Sequence, residues 1–119
     1  MPELIFVSLM CHRPDDASEA DDRRFDATVE DEPYILVNHK KVWDGKRMGA
    51  NDVADLSDVE PISFKDSVRV ELWDADPGYT PEDDQLGRLT IQASLAGVGE
   101  LSHEFKRKSA KYTLTYKVK

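Results

Sequence analysis

Acidic residues crowd one short bend of this sequence, and their spacing suits a divalent cation. Residues 73–87 read WDADPGYTPEDDQLG and contain five carboxylates, two prolines and two glycines. Like charges this close repel one another, which lowers stability unless water, salt or a cation relieves the repulsion. Asp74 and Asp76 are one residue apart, so in an extended loop both side chains point to the same side and can straddle one ion. The carbonyl oxygen of Ala75 could add a further ligand, since calcium accepts about six to eight oxygens from carboxylates and carbonyls.

A second acidic segment lies nearer the N-terminus, before an apolar stretch. It runs from residue 14 to Asp31-Glu32-Pro33-Tyr34 and is acid-rich and without hydrophobic periodicity, which is typical of a loop. If the two acidic loops lie at the same end of the fold, their carboxylates converge on one cation. The simpler interpretation, that both are solvated surface loops, stays open at this point.

The elements that must position these loops are predicted to be β-strands. Val68, Val70 and Leu72 alternate with polar residues up to Trp73, and apolar and polar residues also alternate along 111–119. Patterns of this kind predict strands over residues 4–10, 34–37, 41–43, 62–64, 67–73, 88–91 and 111–119. Their regular spacing predicts an all-β fold, a single antiparallel eight-stranded β-sandwich.

Turns and helices are predicted from the residues that interrupt these strands. Asn38-His39-Lys40 separates two of the strands and predicts a hairpin, because asparagine tolerates the left-handed backbone of a tight turn. Helix is predicted as no more than one turn within 51–59 and one within 94–99, since proline and glycine punctuate both segments. The two tryptophans, Trp43 and Trp73, are predicted to pack at the core or at a sheet edge.

Length and composition restrict the class of protein. At 119 residues the chain has the size of one domain, so residues 1–119 are predicted to form a single sandwich. A net charge of −8 argues against nucleic acid as a partner, and the single cysteine, Cys11, excludes an internal disulfide. No stretch has the features of a signal peptide or a transmembrane helix. We therefore expect a soluble, cytoplasmic protein, with peripheral attachment to a membrane as an open alternative.

The order of these motifs resembles that of C2 domains, the calcium- and lipid-binding β-sandwich family. A strand, Asp-x-Asp, a loop and Asp-Asp-x-Leu-Gly, with an acid-acid-Pro-Tyr segment upstream, are similar to the family's pattern over residues 31–37 and 68–91. Glu32 stands where the family usually has aspartate, so the adjacent acid is expected to share or take over its role. The ligand from the first loop is Asp26, with Asp21 and Asp22 as alternatives. With the carbonyl included, the implied calcium ligands are Asp26, Asp31, Glu32, Asp74, Ala75, Asp76 and Asp84.

Three functional hypotheses follow. The leading hypothesis is a non-enzymatic binding module that holds calcium in its acidic loops and through it contacts anionic phospholipid or a protein partner. The alternative is a metal-free interaction or assembly module within a larger complex. A small metal-dependent hydrolase is the third and least favoured hypothesis.

Catalytic motifs are not evident in the sequence, so we do not expect an enzyme. Cys11 and His12 are adjacent, and neighbouring residues on a strand point to opposite faces, which argues against a nucleophile and its base. The histidines lack zinc-site spacing, and no Gly-x-Ser-x-Gly motif is present.

Overall fold

The computed structural model describes residues 1–14, 30–45, 47–75, 83–107 and 110–119. Within these ranges the chain forms nine β-strands and a short 3-10 helix, Ala93–Leu95. The strands are β1 (Glu3–Arg13), β2 (Pro33–Val37), β3 (Lys40–Asp44), β4 (Val53–Asp55), β5 (Ile62–Ser63), β6 (Ser67–Asp74), β7 (Asp84–Gln92), β8 (Leu101–Arg107) and β9 (Ala110–Val118). No helix in the described ranges is long and apolar enough to cross a membrane.

The strands form two antiparallel sheets. The first sheet has the order β4-β1-β9-β8, with β5 also paired to β1, and the second has the order β3-β2-β6-β7. Every pairing within the two sheets is antiparallel. The predicted all-β antiparallel sandwich is therefore confirmed.

The described ranges contain nine strands where eight were predicted, and two of them, β4 and β8, were not assigned from the sequence. β8 was missed because Phe105 is its one buried residue, so it shows no alternation. β5 falls within the strand predicted over 62–64. β4 pairs with Ser8–Met10 of β1, and β5 pairs with Glu3 and Leu4 of the same strand. The three residues of β4 are too few to show an alternating pattern in sequence. The helical turn predicted within 51–59 is wrong, because β1 offers an edge to which Val53–Asp55 pairs. A single 3-10 turn does form near the other predicted position, beginning at Ala93.

The core lies between the two sheets and is built from the predicted alternation. On β9, a central strand, Tyr112, Leu114, Tyr116 and Val118 are all buried. The core-facing residues of β6 are Val68, Val70 and Leu72, each at most 1% exposed. The apolar run near the N-terminus forms β1, as predicted for a buried strand, with Leu4, Phe6, Leu9 and Cys11 inside.

One glycine allows the two sheets to approach each other closely. A Cβ atom added to Gly87 of β7 would lie 2.4 Å from Cδ1 of Phe105, a buried residue of β8 in the other sheet. Real Cβ contacts are not that short, so any side chain at this position would displace the phenylalanine ring. The glycine in the Leu-Gly pair at the end of the acidic bend is therefore a packing residue.

The predicted hairpin is present between β2 and β3. Asn38 and His39 both have positive φ, 49° and 69°, as a tight hairpin turn requires. The turn is fastened to β6, because the backbone N–H of Arg69 donates to Asn38 Oδ1 at 3.0 Å and Asn38 N–H donates to the Arg69 carbonyl at 2.9 Å. The asparagine thus supplies both the backbone conformation and a side-chain acceptor.

Trp43 packs as predicted, whereas Trp73 lies on the outer face of β6, which is an inner strand, and not in the core or at a sheet edge. Trp43 is partly buried against the core. Trp73 stacks with Tyr34, its register partner on β2, with ring centroids 6.5 Å apart and planes 13° apart. Its indole N–H also donates to Oε1 of Glu71 at 3.3 Å. Glu71 is 4% exposed although it lies on the outer side of its sheet, because the surrounding polar and aromatic side chains cover it.

The ends of the first and last strands lie side by side. Glu3 N–H donates to the Lys119 carbonyl and Lys119 N–H donates to the Glu3 carbonyl, both at 2.8 Å. This pair of bonds closes the ladder between β1 and β9.

Candidate functional site at the acidic end of the sandwich

The two acidic segments lie side by side at one end of the second sheet. β2 begins where β6 ends, and Pro33 is the register partner of Asp74. The pairing continues beyond the strands, because Ala75 N–H donates to the carbonyl oxygen of Glu32 at 2.9 Å. On the other side of β6, Asp74 is the register partner of Asp84, the first residue of β7. The described ends of the two segments therefore meet at one end of the fold, which is the condition that the sequence analysis set for a shared cation.

Asp74 is a buried carboxylate that fixes the start of β2. It follows Val70 and Leu72 on the core-facing side of β6 and is 3% exposed. Its Oδ1 accepts a hydrogen bond from the backbone N–H of Glu32 at 2.8 Å. A bond from a backbone N–H to an ionised carboxylate is among the stronger hydrogen bonds in proteins. Asp74 therefore ties the first acidic segment to the second.

Asp31 points away from the acidic end and into the core. It is fully buried, and its Oδ2 accepts a hydrogen bond from the hydroxyl of Tyr112 on β9 at 2.6 Å. Its backbone forms a bridge with Met48, with N–H to carbonyl distances of 2.9 Å in both directions. Burial, and then the nearby Asp31 carboxylate, raise the pKa of Tyr112 far above its usual value. One carboxylate oxygen of Asp31 is therefore engaged with the tyrosine.

Glu32 is the outward-facing member of the adjacent acid pair. Its side chain is 37% exposed, and its Oε1 lies 3.6 Å from Nε of Arg47, which is 72% exposed. An ion pair this exposed contributes little stability, about 0 to 1 kcal/mol. The arginine nevertheless supplies positive charge at the carboxylate that the sequence predicted as a cation ligand.

Tyr34 is hydrogen-bonded to the acidic bend at the residue directly before β7. Its hydroxyl donates to Oδ2 of Asp83 at 2.5 Å, and Lys41 Nζ lies 5.0 Å from the centroid of its ring. Partial burial, followed by the bond to Asp83, raises the pKa of Tyr34 well above its usual value. Sequence reasoning did not identify Asp83 as a functional residue, since adjacency to Asp84 alone gives no sign of a tyrosine partner. The bond fixes the end of the bend beside β2.

An open cavity of about 410 Å³ adjoins this end of the sandwich. It is lined by Glu32, Pro33, Tyr34, Lys41, Asp44, Gly45, Ala75 and Asp83. Residues of both acidic segments therefore share one cavity with a lysine. A ligand in this space would contact carboxylates and a cationic group together.

The predicted calcium ligands fall into three groups. Glu32, Asp74 and Asp84 belong to strand ends that the fold brings together, and Ala75 joins two of those ends through its backbone. Asp31 is bound inside the core. The remaining predicted ligands, Asp26 and Asp76, lie outside the described residues, as do the alternatives Asp21 and Asp22.

The cation site itself stays a prediction. Among the described residues, no group of three or more His, Cys, Asp or Glu side chains is arranged to hold a metal ion. A complete ligand set would have to draw on Asp76 and on an acid of the first loop in addition to the three carboxylates at the strand ends.

The adjacent Cys11 and His12 do not act together. Cys11 is fully buried, and burial raises the pKa of its thiol to about 11. His12 instead has Nε2 at 2.7 Å from the hydroxyl oxygen of Thr113. A buried neutral thiol is a poor nucleophile, so this pair does not form a catalytic dyad.

Comparison with known proteins identifies the fold of this chain but assigns it to no family. No protein-family model matches this sequence, and no curated protein matches it. Among solved structures, it is similar to one described as a structure of a C2 domain, with 16% identity, a TM-score of 0.51, and coverage of 98% of this chain and 96% of that chain. A Drosophila C2-DSL-EGF1 structure is similar with 12% identity and a TM-score of 0.52.

The second of these likenesses covers 98% of this chain, which spans only 66% of the length of the Drosophila chain. At such low identity the two likenesses show the fold alone. The C2-like β-sandwich predicted from the sequence motifs is confirmed.

Proposed function

We propose that the protein is a non-catalytic binding module whose acidic end binds calcium and, through the ion, an anionic phospholipid surface or a protein partner. The observation that carries this proposal is the junction of β2, β6 and β7. There, the main chain of Glu32 is hydrogen-bonded to Asp74 and Ala75, and Asp84 faces Asp74 across the ladder. Two acidic loops that are remote in sequence therefore meet at one place.

The chemistry of the donor groups fits calcium. All the predicted ligands are carboxylate or carbonyl oxygens, which hard cations prefer, and they lie at loop ends that can adjust to a variable coordination number. Glu32, Asp74 and Asp84 would hold the ion together with Asp76 and an acid of the first loop, Asp26. Bound calcium would neutralise the repulsion between these carboxylates and give the module a cationic surface for phosphate or carboxylate groups.

Calorimetry and thermal unfolding with and without calcium test the proposal. Calcium in large excess over its dissociation constant is expected to stabilise the fold by about 1 to 3 kcal/mol, which raises the melting temperature by several degrees. Asp84→Asn should weaken binding at least about tenfold, because it removes a charged ligand. The matched control is Asp66→Asn, which makes the same charge change beside the opposite end of β6 and should leave calcium binding unchanged.

A metal-free interaction module is the second candidate, and two contacts favour it. Arg47 compensates part of the charge of Glu32, and Asp31 already accepts a hydrogen bond from Tyr112 in the core. This candidate predicts no heat of binding and no rise in melting temperature at millimolar calcium. That result would overturn the calcium proposal.

A second experiment distinguishes an anionic phospholipid surface from a protein as the partner. If calcium binds and the partner is a membrane, more protein should co-sediment with phosphatidylserine vesicles in calcium than in chelator. Equal retention in calcium and chelator, despite calorimetric binding, would overturn the membrane partner.

A further inference from the structure

A second cavity, of about 460 Å³, lies between β3, the following loop and β4. Part of its wall is apolar and consists of Trp43, Met48, Val53 and Ala54. Its size falls within the range of about 300 to 1,000 Å³ that is usual for ligand sites. Of the predicted calcium ligands that the structure describes, Asp31, Glu32, Asp74 and Asp84 do not line it.

The indole of Trp43 is a fixed part of this wall. A Cβ atom added to Gly45 would lie 2.2 Å from Cη2 of the indole, so the ring packs directly against the glycine backbone. Met48, which is 3% exposed, belongs to the same core cluster that Trp43 packs against. The aromatic surface therefore does not need to reorganise to receive a ligand.

Four carboxylates also line the cavity. They belong to Asp44, Asp52, Asp55 and Asp58. Two of them are oriented by the chain itself, since Asp52 Oδ2 accepts from Gly49 N–H at 2.8 Å and Asp55 Oδ1 accepts from Ser57 N–H at 2.9 Å. Hydrogen bonds from Ser57 also lower the pKa of Asp55.

The cationic side chain in the described lining lies close to a carboxylate outside the cavity. Arg47 is the cationic residue among the described residues that line the cavity, and its Nε lies 3.6 Å from Glu32 at the neighbouring acidic end. Asp44 is also paired, since its Oδ2 lies 3.4 Å from Nζ of Lys41. Among the described lining residues, Asp52, Asp55 and Asp58 therefore place negative charge next to an aromatic wall.

We propose that this cavity binds an arginine side chain of a partner polypeptide. The guanidinium would lie against the indole and among the carboxylates, an arrangement that combines cation–π attraction with charge-assisted hydrogen bonds. Its aliphatic stem would contact Met48 and Ala54. The aromatic wall selects a side chain with an extended apolar stem over a bare cation, and the net charge of −8 favours the approach of a basic segment. The site needs no calcium, so it is independent of the proposed function of the acidic loops.

Titration of the protein with N-acetyl-arginine amide in the presence of chelator tests this site. The indole N–H resonance of Trp43 reports binding in NMR spectra, and that of Trp73, which does not line the cavity, is the internal reference. We expect a saturable shift of the Trp43 resonance and of the amides of Val53–Asp55. The neutral probe N-acetyl-norleucine amide should give a much weaker response.

A charge-matched pair of double variants decides whether the cavity carboxylates are responsible. Asp55→Asn with Asp58→Asn should raise the apparent dissociation constant at least about threefold, while Asp66→Asn with Glu100→Gln removes the same charge elsewhere and should not. Asp58→Asn alone leaves intact the hydrogen bonds from Gly49 to Asp52 and from Ser57 to Asp55. Absence of a saturable Trp43 shift, an equal response to the norleucine probe, or equal weakening by both double variants would overturn the proposal.

Discussion

Two neighbouring acids, Asp31 and Glu32, face opposite ways because successive side chains of an extended chain point to opposite sides. Asp31 is bound to Tyr112 in the core, whereas Glu32 is exposed beside Arg47. The sequence identifies both as acids before Pro33 but cannot tell which of them faces inward, since that depends on the register between this segment and the rest of the fold. The inward acid serves the structure, and the outward acid remains available to a ligand.

Removal of the Tyr112 hydroxyl should be costly because it leaves a buried carboxylate with one donor fewer. We expect Tyr112→Phe to lower the free energy of unfolding by about 1 to 3 kcal/mol. Tyr116→Phe is the matched control, since Tyr116 lies on the same face of β9 and its raised pKa arises from burial alone. Urea denaturation of the three proteins measures the difference. An equal loss in both variants would contradict a specific bond to Asp31.

At the scale of the elements, the sequence was most informative where a local pattern decides the structure. Alternation predicted β6 and β9, and Asn38 predicted the hairpin, because side-chain period and left-handed backbone are local properties. β4 was mistaken for a helical turn, since three residues carry no pattern and the strand forms only because β1 offers an edge. The meeting of the ends of the two acidic segments stayed a condition in the sequence analysis, because it depends on the pairing of β2 with β6. The bond of Tyr34 to Asp83 could not be predicted from the sequence, because it depends on the path of the acidic bend.

The close approach of β7 and β8 gives a prediction at the same scale. Gly87→Ala should destabilise the fold by about 1 to 3 kcal/mol, because the new methyl group overlaps the ring of Phe105. Thermal and urea unfolding of Gly87→Ala, Phe105→Leu and the double variant measure the coupling between the two positions. The cost of the alanine should shrink in the Phe105→Leu background. A cost that is independent of residue 105 would mean that backbone conformation, not packing, requires the glycine.

For the whole molecule, the buried thiol and phenols predict loss of stability in alkali. Burial raises the pKa of Cys11 from 9.0 to about 11, and it also raises the pKa values of Tyr112 and Tyr116. The unfolded chain therefore releases these protons at lower pH than the folded chain does. Stability from these groups is fully present below pH 9.0, the unfolded value for Cys11, and falls as the pH rises through about 11.

Urea unfolding midpoints measured across the pH range from 9.0 to about 11 test this expectation. Cys11→Ala should lower stability at neutral pH because it leaves a small cavity, but its stability should decline less steeply over that range. Parallel curves for the two proteins would show that the thiol does not contribute to the pH dependence.

The paired bonds between Glu3 and Lys119 also determine how the fold responds to force. β1 and β9 are antiparallel neighbours, so a pull applied at both chain ends loads the ladder at one extremity. Its hydrogen bonds then break one after another, as in a zipper, instead of sharing the load in shear. A module of this geometry that is anchored at both ends to other structures would be a mechanically weak link, whereas anchorage through its acidic end would spare the ladder that closes its core.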